Sequence, residues 1–312
     1  MEKVLFLKPY FSHTIWGGKR LREEFGYDEP GDDIGECWGI SAHPAGESIV
    51  TGGEFDGRKL SELWSSHREL FGNAEGDRFP LLIKIIDACD DLSIQVHPDD
   101  AYASVHENGS LGKKECWYVL DCPEGGEIVV GHNASSKEEM ESMIDNGEWD
   151  AFIRKVPVKP GDMIQIDPGT VHAITAGVCV LETQQSSDIT YRLYDYGRLM
   201  NGAPRQLHTA QSKDVIIVPD LPSEDRIKSF QGDGKPGITE LISCDKYTVS
   251  RVICDSEMSF ETDAGFLCAT VIKGEGSVFD TRVVKGSHML ITKEGAEKVL
   301  LKGNMELIVS RT

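Results

Sequence analysis

The chain has 312 residues, 39% of them hydrophobic and 27% charged, with a formal net charge of −20. That length suits one large β domain or two ordinary domains, and that charge argues against nucleic acid and anionic membrane surfaces as partners. No apolar run approaches the ~20 residues of a membrane helix, and the opening MEKVLFLKPYF lacks a small-residue cleavage site, so neither a membrane span nor a signal peptide is expected.

The first segment with a helical period covers 56–73, DGRKLSELWSSHRELFGN, with Leu60, Leu63, Trp64 and Leu70 near one face and Gly72 at its end. In LSIQVHPDD, residues 92–100, Leu92, Ile94 and Val96 alternate with Ser93, Gln95 and His97. That is the period of a half-buried strand, and its second face carries an amide and an imidazole. A short helix is expected over 98–109, with Pro98 in its first turn. Glu115 opens another strand, where Glu115, Trp117 and Val119 alternate with Cys116, Tyr118 and Leu120. Residues 135–153, SSKEEMESMIDNGEWDAFI, read as a helix opened by a capping box of Ser135 and Glu138. KPGDMIQIDPGTVHAI, 159–174, reads as a strand, a glycine-containing turn and a return strand bearing His172.

Short apolar runs cut by Gly, Pro and Asp fill most of the remaining sequence at roughly ten-residue spacing, the pattern of a sandwich or barrel. A polar stretch at 218–237, VPDLPSEDRIKSFQGDGKPG, marks a boundary before a final strand-like segment. The expected division is therefore 1–218, a larger β domain with helical insertions, and 219–312, a smaller β domain. The eight cysteines include no CxxC pair and mostly sit in apolar runs such as LCATVI and GVCVLE. They read as small, reduced core residues of a cytoplasmic protein.

Gln95, His97, Glu115 and His172 supply three common metal-ligating side chains and one amide oxygen. PGD…DPGTVH resembles the second sequence motif of the cupin superfamily, although Asp167 stands where cupins usually carry Pro. QVH…E resembles the first, with Gln95 replacing a histidine and an unusually long gap before Glu115. Gln-x-His with a delayed Glu narrows the resemblance to the type I mannose-6-phosphate isomerase (phosphomannose isomerase) family, of the shorter bacterial kind. The matching pieces are IWGG (15–18), GECWGISAHPAGES (35–48), FPLLIKIIDACDDLSIQVHPDD (79–100), GKKECWY (112–118), GTVHAI (169–174) and SSDITYR (186–192).

This resemblance implies a mainly β fold: a cupin jelly-roll sandwich or barrel with a few helices in insertions, plus a smaller C-terminal cupin-like domain without a recognisable metal site. It implies one metal ion held by Gln95, His97, Glu115 and His172. That N/O donor set suits zinc, with manganese, iron or cobalt as other fits. The implied reaction interconverts mannose 6-phosphate and fructose 6-phosphate through an enediol. Lys113 falls at the family's active-site lysine, with a pKa expected to drop beside a bound cation. Arg192 falls at its catalytic arginine, and Lys84 and Ser93 at positions that meet phosphate. Three of these have a plainer reading: Lys84 as a packed stem with a solvated head, Lys113 as an exposed lysine, and Arg192 as the ion-pair partner of Asp188 or Asp195. Two other functions compete, an oxygenase-type cupin using iron and a non-catalytic sugar-phosphate binder. The expected partner is a small sugar phosphate, and the expected assembly a monomer or homodimer.

Overall fold

The computed structural model describes residues 2–230 and 234–312, and its architecture is mainly β, as expected. A seven-stranded sheet forms the middle layer, in the order Ile227–Ser229, Asp162–Ile166, Glu115–Asp121, Cys179–Gln185, Leu81–Asp87, Ile34–Ile40 and Tyr10–Gly18. A five-stranded sheet faces it, in the order Ile153–Pro157, Glu127–His132, His172–Ile174, Ile94–Val96 and Tyr191–Tyr194. Ile86, Trp117, Val119 and Val180 of the first sheet pack with Ile128, Val130 and Ile174 of the second. The opposite face of the middle sheet, with Ile83, Ile85, Cys116 and Leu181, packs on Cys268, Leu290 and Ile308 of the C-terminal segment. Burial on both faces explains why Leu81–Asp87 reads as a continuous apolar run rather than an alternating one.

The C-terminal sheet has nine strands, and its main path runs Gly237–Ser243, Thr248–Cys254, Val299–Arg311, Leu267–Val278, His288–Ile291, Val4–Lys8 and Ile49–Thr51. The N-terminal strand thus pairs antiparallel with the C-terminal segment, Val4 opposite Ile291 and Leu7 opposite His288. The chain crosses the 218/219 division here to complete a sheet.

Three local expectations need correction. The 56–73 segment is a helix only over Leu60–Ser66, followed by a 3-10 turn at Arg68–Phe71 that Gly72 ends with a left-handed φ of 65°. The 135–153 segment breaks into Lys137–Asp145 and Trp149–Phe152 around Gly147, whose φ is 68°. Its capping box is shifted by one residue: Ser136 Oγ accepts from the Glu139 N–H, and the Glu139 carboxylate accepts from the Ser135 N–H. Pro98 lies outside the helix Asp100–His106, whose N-cap is Asp99.

Where the middle sheet meets the C-terminal sheet, His288 is buried against Gly39. A Cβ on Gly39 would fall 2.1 Å from the imidazole, so only glycine fits. His288 Nε2 lies 2.7 Å from the Tyr27 hydroxyl, which itself donates to the Gly286 carbonyl, and His288 Nδ1 lies 2.9 Å from Thr270 Oγ1. Burial pushes its pKa down to about 3. A depressed folded pKa means stability that is complete above the unfolded value of ~6.5 and lost as pH falls below it. From pH 7 to 5 this group should cost about 2 kcal/mol. The melting temperature of His288→Gln should therefore fall less steeply over that range than that of the unaltered chain; equal slopes would contradict the assignment.

Candidate metal centre and its cavity

Strand register brings the candidate ligands together. His172 lies directly across from Gln95, and Arg192 lies across from Gln95 on its other side. His97, two residues on from Gln95, shares its face, which points at the middle sheet. Ile94 and Val96 point the other way, into a core with Ala173 and Tyr191. Leu92 departs from the expected alternation: it precedes the strand and packs between the sheets. Glu115, first residue of its strand, faces the pair from the middle sheet.

His97, Glu115 and His172 are fully buried, and their ligating atoms lie within 4.8 Å of one another. His97 Nδ1 lies 2.8 Å from the Ile189 carbonyl and His172 Nδ1 2.9 Å from the Thr170 carbonyl. A carbonyl only accepts, so each Nδ1 carries the hydrogen and each Nε2 carries a lone pair. The two Nε2 atoms stand 3.1 Å apart, and each is 3.5 Å from a Glu115 oxygen. Neither buried Glu115 oxygen receives a well-directed hydrogen bond. Two lone pairs and a carboxylate aimed at one point, out of water, form a donor set that fits a divalent cation. Burial, then the nearby Lys113 ammonium, hold the His97 imidazole well below its usual pKa, and burial lowers that of His172 to about 3, so both stay neutral and able to ligate.

Lys113 is also buried, with Nζ 2.9 Å from Glu115 Oε2 and 3.1 Å from His97 Nε2. Burial disfavours its charge, but Glu115, Glu182 and Glu36 outweigh that and raise its pKa.

Gln95, Lys113, Ser93, Lys84 and Arg192 line one cavity of about 220 Å³. A wider cleft, about 680 Å³ around Arg20, Tyr118 and Arg251, holds none of the expected site residues. Lys84 is not a solvated lysine. It lies buried 3.5 Å from Glu36 and 3.6 Å from Glu182, with its ammonium 4.7 Å from the Trp38 ring centroid. Trp117, Glu182, Lys84 and Trp38 are cross-strand neighbours in one row. Arg192 pairs with neither Asp188 nor Asp195. It donates to the Gln206 carbonyl at 2.9 Å, its Nε is buried without a partner, and burial, then Arg205, lower its pKa. Asp195 instead accepts from Arg198 and Arg205.

Glu182 and Arg205 are among the cavity residues that the sequence reading missed. Glu182 is buried, accepts from Trp117 Nε1 at 2.9 Å, and has its pKa raised by burial and then by Glu115. Its signal was an acidic residue at the end of the apolar run GVCVLE. Arg205, which lines the cavity beside Arg192, follows a short hairpin and had no sequence signal.

A family model described as the phosphomannose isomerase type I catalytic domain matches residues 4–124, and one described as the mannose-6-phosphate isomerase cupin domain matches 237–312. Mannose-6-phosphate isomerase ManA of Bacillus subtilis (strain 168) is 49% identical over 98% of this chain and 98% of its own length. The mannose-6-phosphate isomerase of Streptococcus mutans serotype c is 44% identical, covering 100% of this chain and 99% of its own. A crystal structure of the mannose 6-phosphate isomerase from Bacillus subtilis matches with a TM-score of 0.94 at 43% identity, covering 100% of both chains.

Proposed function

The chain belongs to the type I phosphomannose isomerase family, and we propose that it interconverts D-mannose 6-phosphate and D-fructose 6-phosphate in the cavity above His97, Glu115 and His172. The observation that carries this reading is the convergence of two neutral imidazoles and the Glu115 carboxylate, whose ion-pair partner Lys113 lines a cavity together with Gln95, Glu182 and Arg192. The oxygenase and non-catalytic readings find no support among the relatives named above.

His97, Glu115, His172 and the Gln95 amide oxygen would hold one ion, zinc being the first choice for this N/O set. When bound, such an ion would polarise the two sugar oxygens that exchange a double bond. The chain's own residues do the rest. Glu182, a buried carboxylate with a raised pKa, suits the transfer of a proton between C2 and C1 of the open sugar. Lys113, kept as an ammonium by its carboxylate neighbours, stabilises negative charge developing on the sugar oxygens and serves as a proton donor. We assign the base role to Glu182 and charge stabilisation to Lys113. Arg192 presents a charged guanidinium without a carboxylate partner among the described residues, suited to an oxyanion or the phosphate. Ser93 and Arg205 extend that polar wall, whereas Lys84 reaches a phosphate only in competition with Glu36 and Glu182.

All the proposed ligands fall within 1–218, so we retain the division into a metal-binding catalytic part and a C-terminal β part at 219–312. Free thiols at all eight cysteines, five of them buried, suit a cytoplasmic setting. The net charge of −20 leaves nucleic acid and anionic membranes outside the proposed partners. No helix among the described residues is long and apolar enough to cross a membrane. A single copy carries every proposed ligand, which suits a monomer or a homodimer with two separate sites.

The test is coupled detection of fructose 6-phosphate from mannose 6-phosphate with zinc supplied; no turnover would overturn the proposal. Arg192→Lys should fold normally, keep its metal and lose on the order of tenfold or more in kcat, because an ammonium does not reproduce the planar fork. Unchanged kcat would remove Arg192 from the mechanism.

A further inference from the structure

Residues 112–114 carry Lys113 into the cavity and lead into Glu115, yet they lie outside any strand. Their N–H groups are held one by one: Gly112 donates to Asp100 Oδ1 at 2.8 Å, Lys113 to the Pro98 carbonyl at 3.0 Å, and Lys114 to Gln185 Oε1 at 3.0 Å. Gln185 Nε2 closes the loop by donating to Asp100 Oδ1 at 2.9 Å. A Cβ on Gly112 would come within 2.4 Å of the Asp99 carbonyl carbon, so the helix start and the segment fit only without a side chain there.

Lys113 points into the cavity and Lys114 points away from it. On that outer side stands the tip of the hairpin between Gly237–Ser243 and Thr248–Cys254. Asp245 Oδ1 accepts from Lys114 Nζ at 2.6 Å, and Lys246 Nζ lies 2.8 Å from Asp100 Oδ2. Two ion pairs of opposite polarity thus bracket the segment. Tyr247 anchors the tip: its ring is buried in the core shared with Cys116 and Tyr118, and its hydroxyl meets the Gln165 amide group.

We infer that Asp245 and Lys246 are positioning residues, a clamp through which the C-terminal β domain sets the placement of Lys113 and Glu115. The inference rests on the proposed roles of those two site residues. Both ion pairs are partly exposed and so contribute little to global stability. A buried lysine that must stay within reach of two groups at once is, by contrast, sensitive to sub-ångström displacement. The clamp should therefore be felt in turnover rather than in melting.

The experiment compares the full-length, metal-loaded chain with Asp245→Ala/Lys246→Met, measuring kcat, KM, melting temperature and amide exchange across 108–116. The expected result is a kcat lower by about tenfold with KM nearly unchanged, faster exchange at Gly112 and Lys114, and an unshifted melting temperature. Lys246→Arg, which keeps the charge opposite Asp100, should retain kcat. Lys302→Met, which removes an exposed lysine paired with Glu257 on the same sheet, should leave kcat as it was. Equal kcat and equal exchange in the double variant would overturn the clamp, as would a kcat loss that simply follows a loss of melting temperature. If the double variant fails to fold, Lys246→Met alone gives the same two readouts. Absence of turnover in the unaltered chain would instead remove the isomerase reading, while the exchange measurement would still report on the clamp.

Discussion

His172→Ala should lose its bound ion and cut kcat by a factor on the order of a thousand or more. His172 is fully buried, its ring is oriented by the Thr170 carbonyl, and its Nε2 stands opposite that of His97. The alanine removes one of the two imidazoles and leaves one imidazole, one amide oxygen and one carboxylate, a weaker donor set for a borderline cation. It also leaves Glu115 buried with one fewer positive or polar partner in reach, so some loss of stability should accompany the loss of metal. The two effects separate by counting ions per chain on folded protein and by measuring kcat at saturating zinc. A variant that kept both its ion and its turnover would remove His172 from the site, and with it the geometric basis of the metal assignment.

Glu182→Gln should retain the fold and the ion yet lose about 10²–10⁴ in kcat. The glutamine oxygen can still accept from Trp117 Nε1, so the shape of the row Trp117, Glu182, Lys84 and Trp38 is kept. What disappears is a basic atom that can take a proton from C2 and return it to C1. Because the change acts on the proton transfer rather than on binding, KM should move little. Following exchange of solvent deuterium into the substrate alongside kcat separates these effects: both should fall together. A kcat within threefold of the unaltered chain, with normal deuterium incorporation, would place the base elsewhere, with Lys113 the next group to test.

The placement of the proposed ligands was legible in the sequence because strands make it local. Period-2 alternation put Ser93, Gln95 and His97 on one face, and the only departure, Leu92, lies just before the strand begins. Glu115 and His172 each open a strand, next to the turns that gave them away. What stayed hidden depends on contacts between distant segments. Glu182 meets Lys84 and Trp117 only through strand pairing across the middle sheet, and no local pattern sets that register. Arg205 reaches the cavity by way of Asp195, ten residues back and across a hairpin. The role of the N-terminal strand was hidden for the same reason: VLFLK is an ordinary apolar run until it is seen beside His288–Ile291. The helix breaks at Gly72 and Gly147 were marked by glycines within the segments, but the amphipathic pattern continued past them.

Metal stripping and readdition bears on all of this at once. The chain, treated with a chelator and freed of it, should show no isomerisation of mannose 6-phosphate; titrated zinc should then bind at one ion per chain and restore turnover in proportion to occupancy. Full activity in the stripped chain, or restoration that proceeds equally well in His97→Ala, would contradict the site described above.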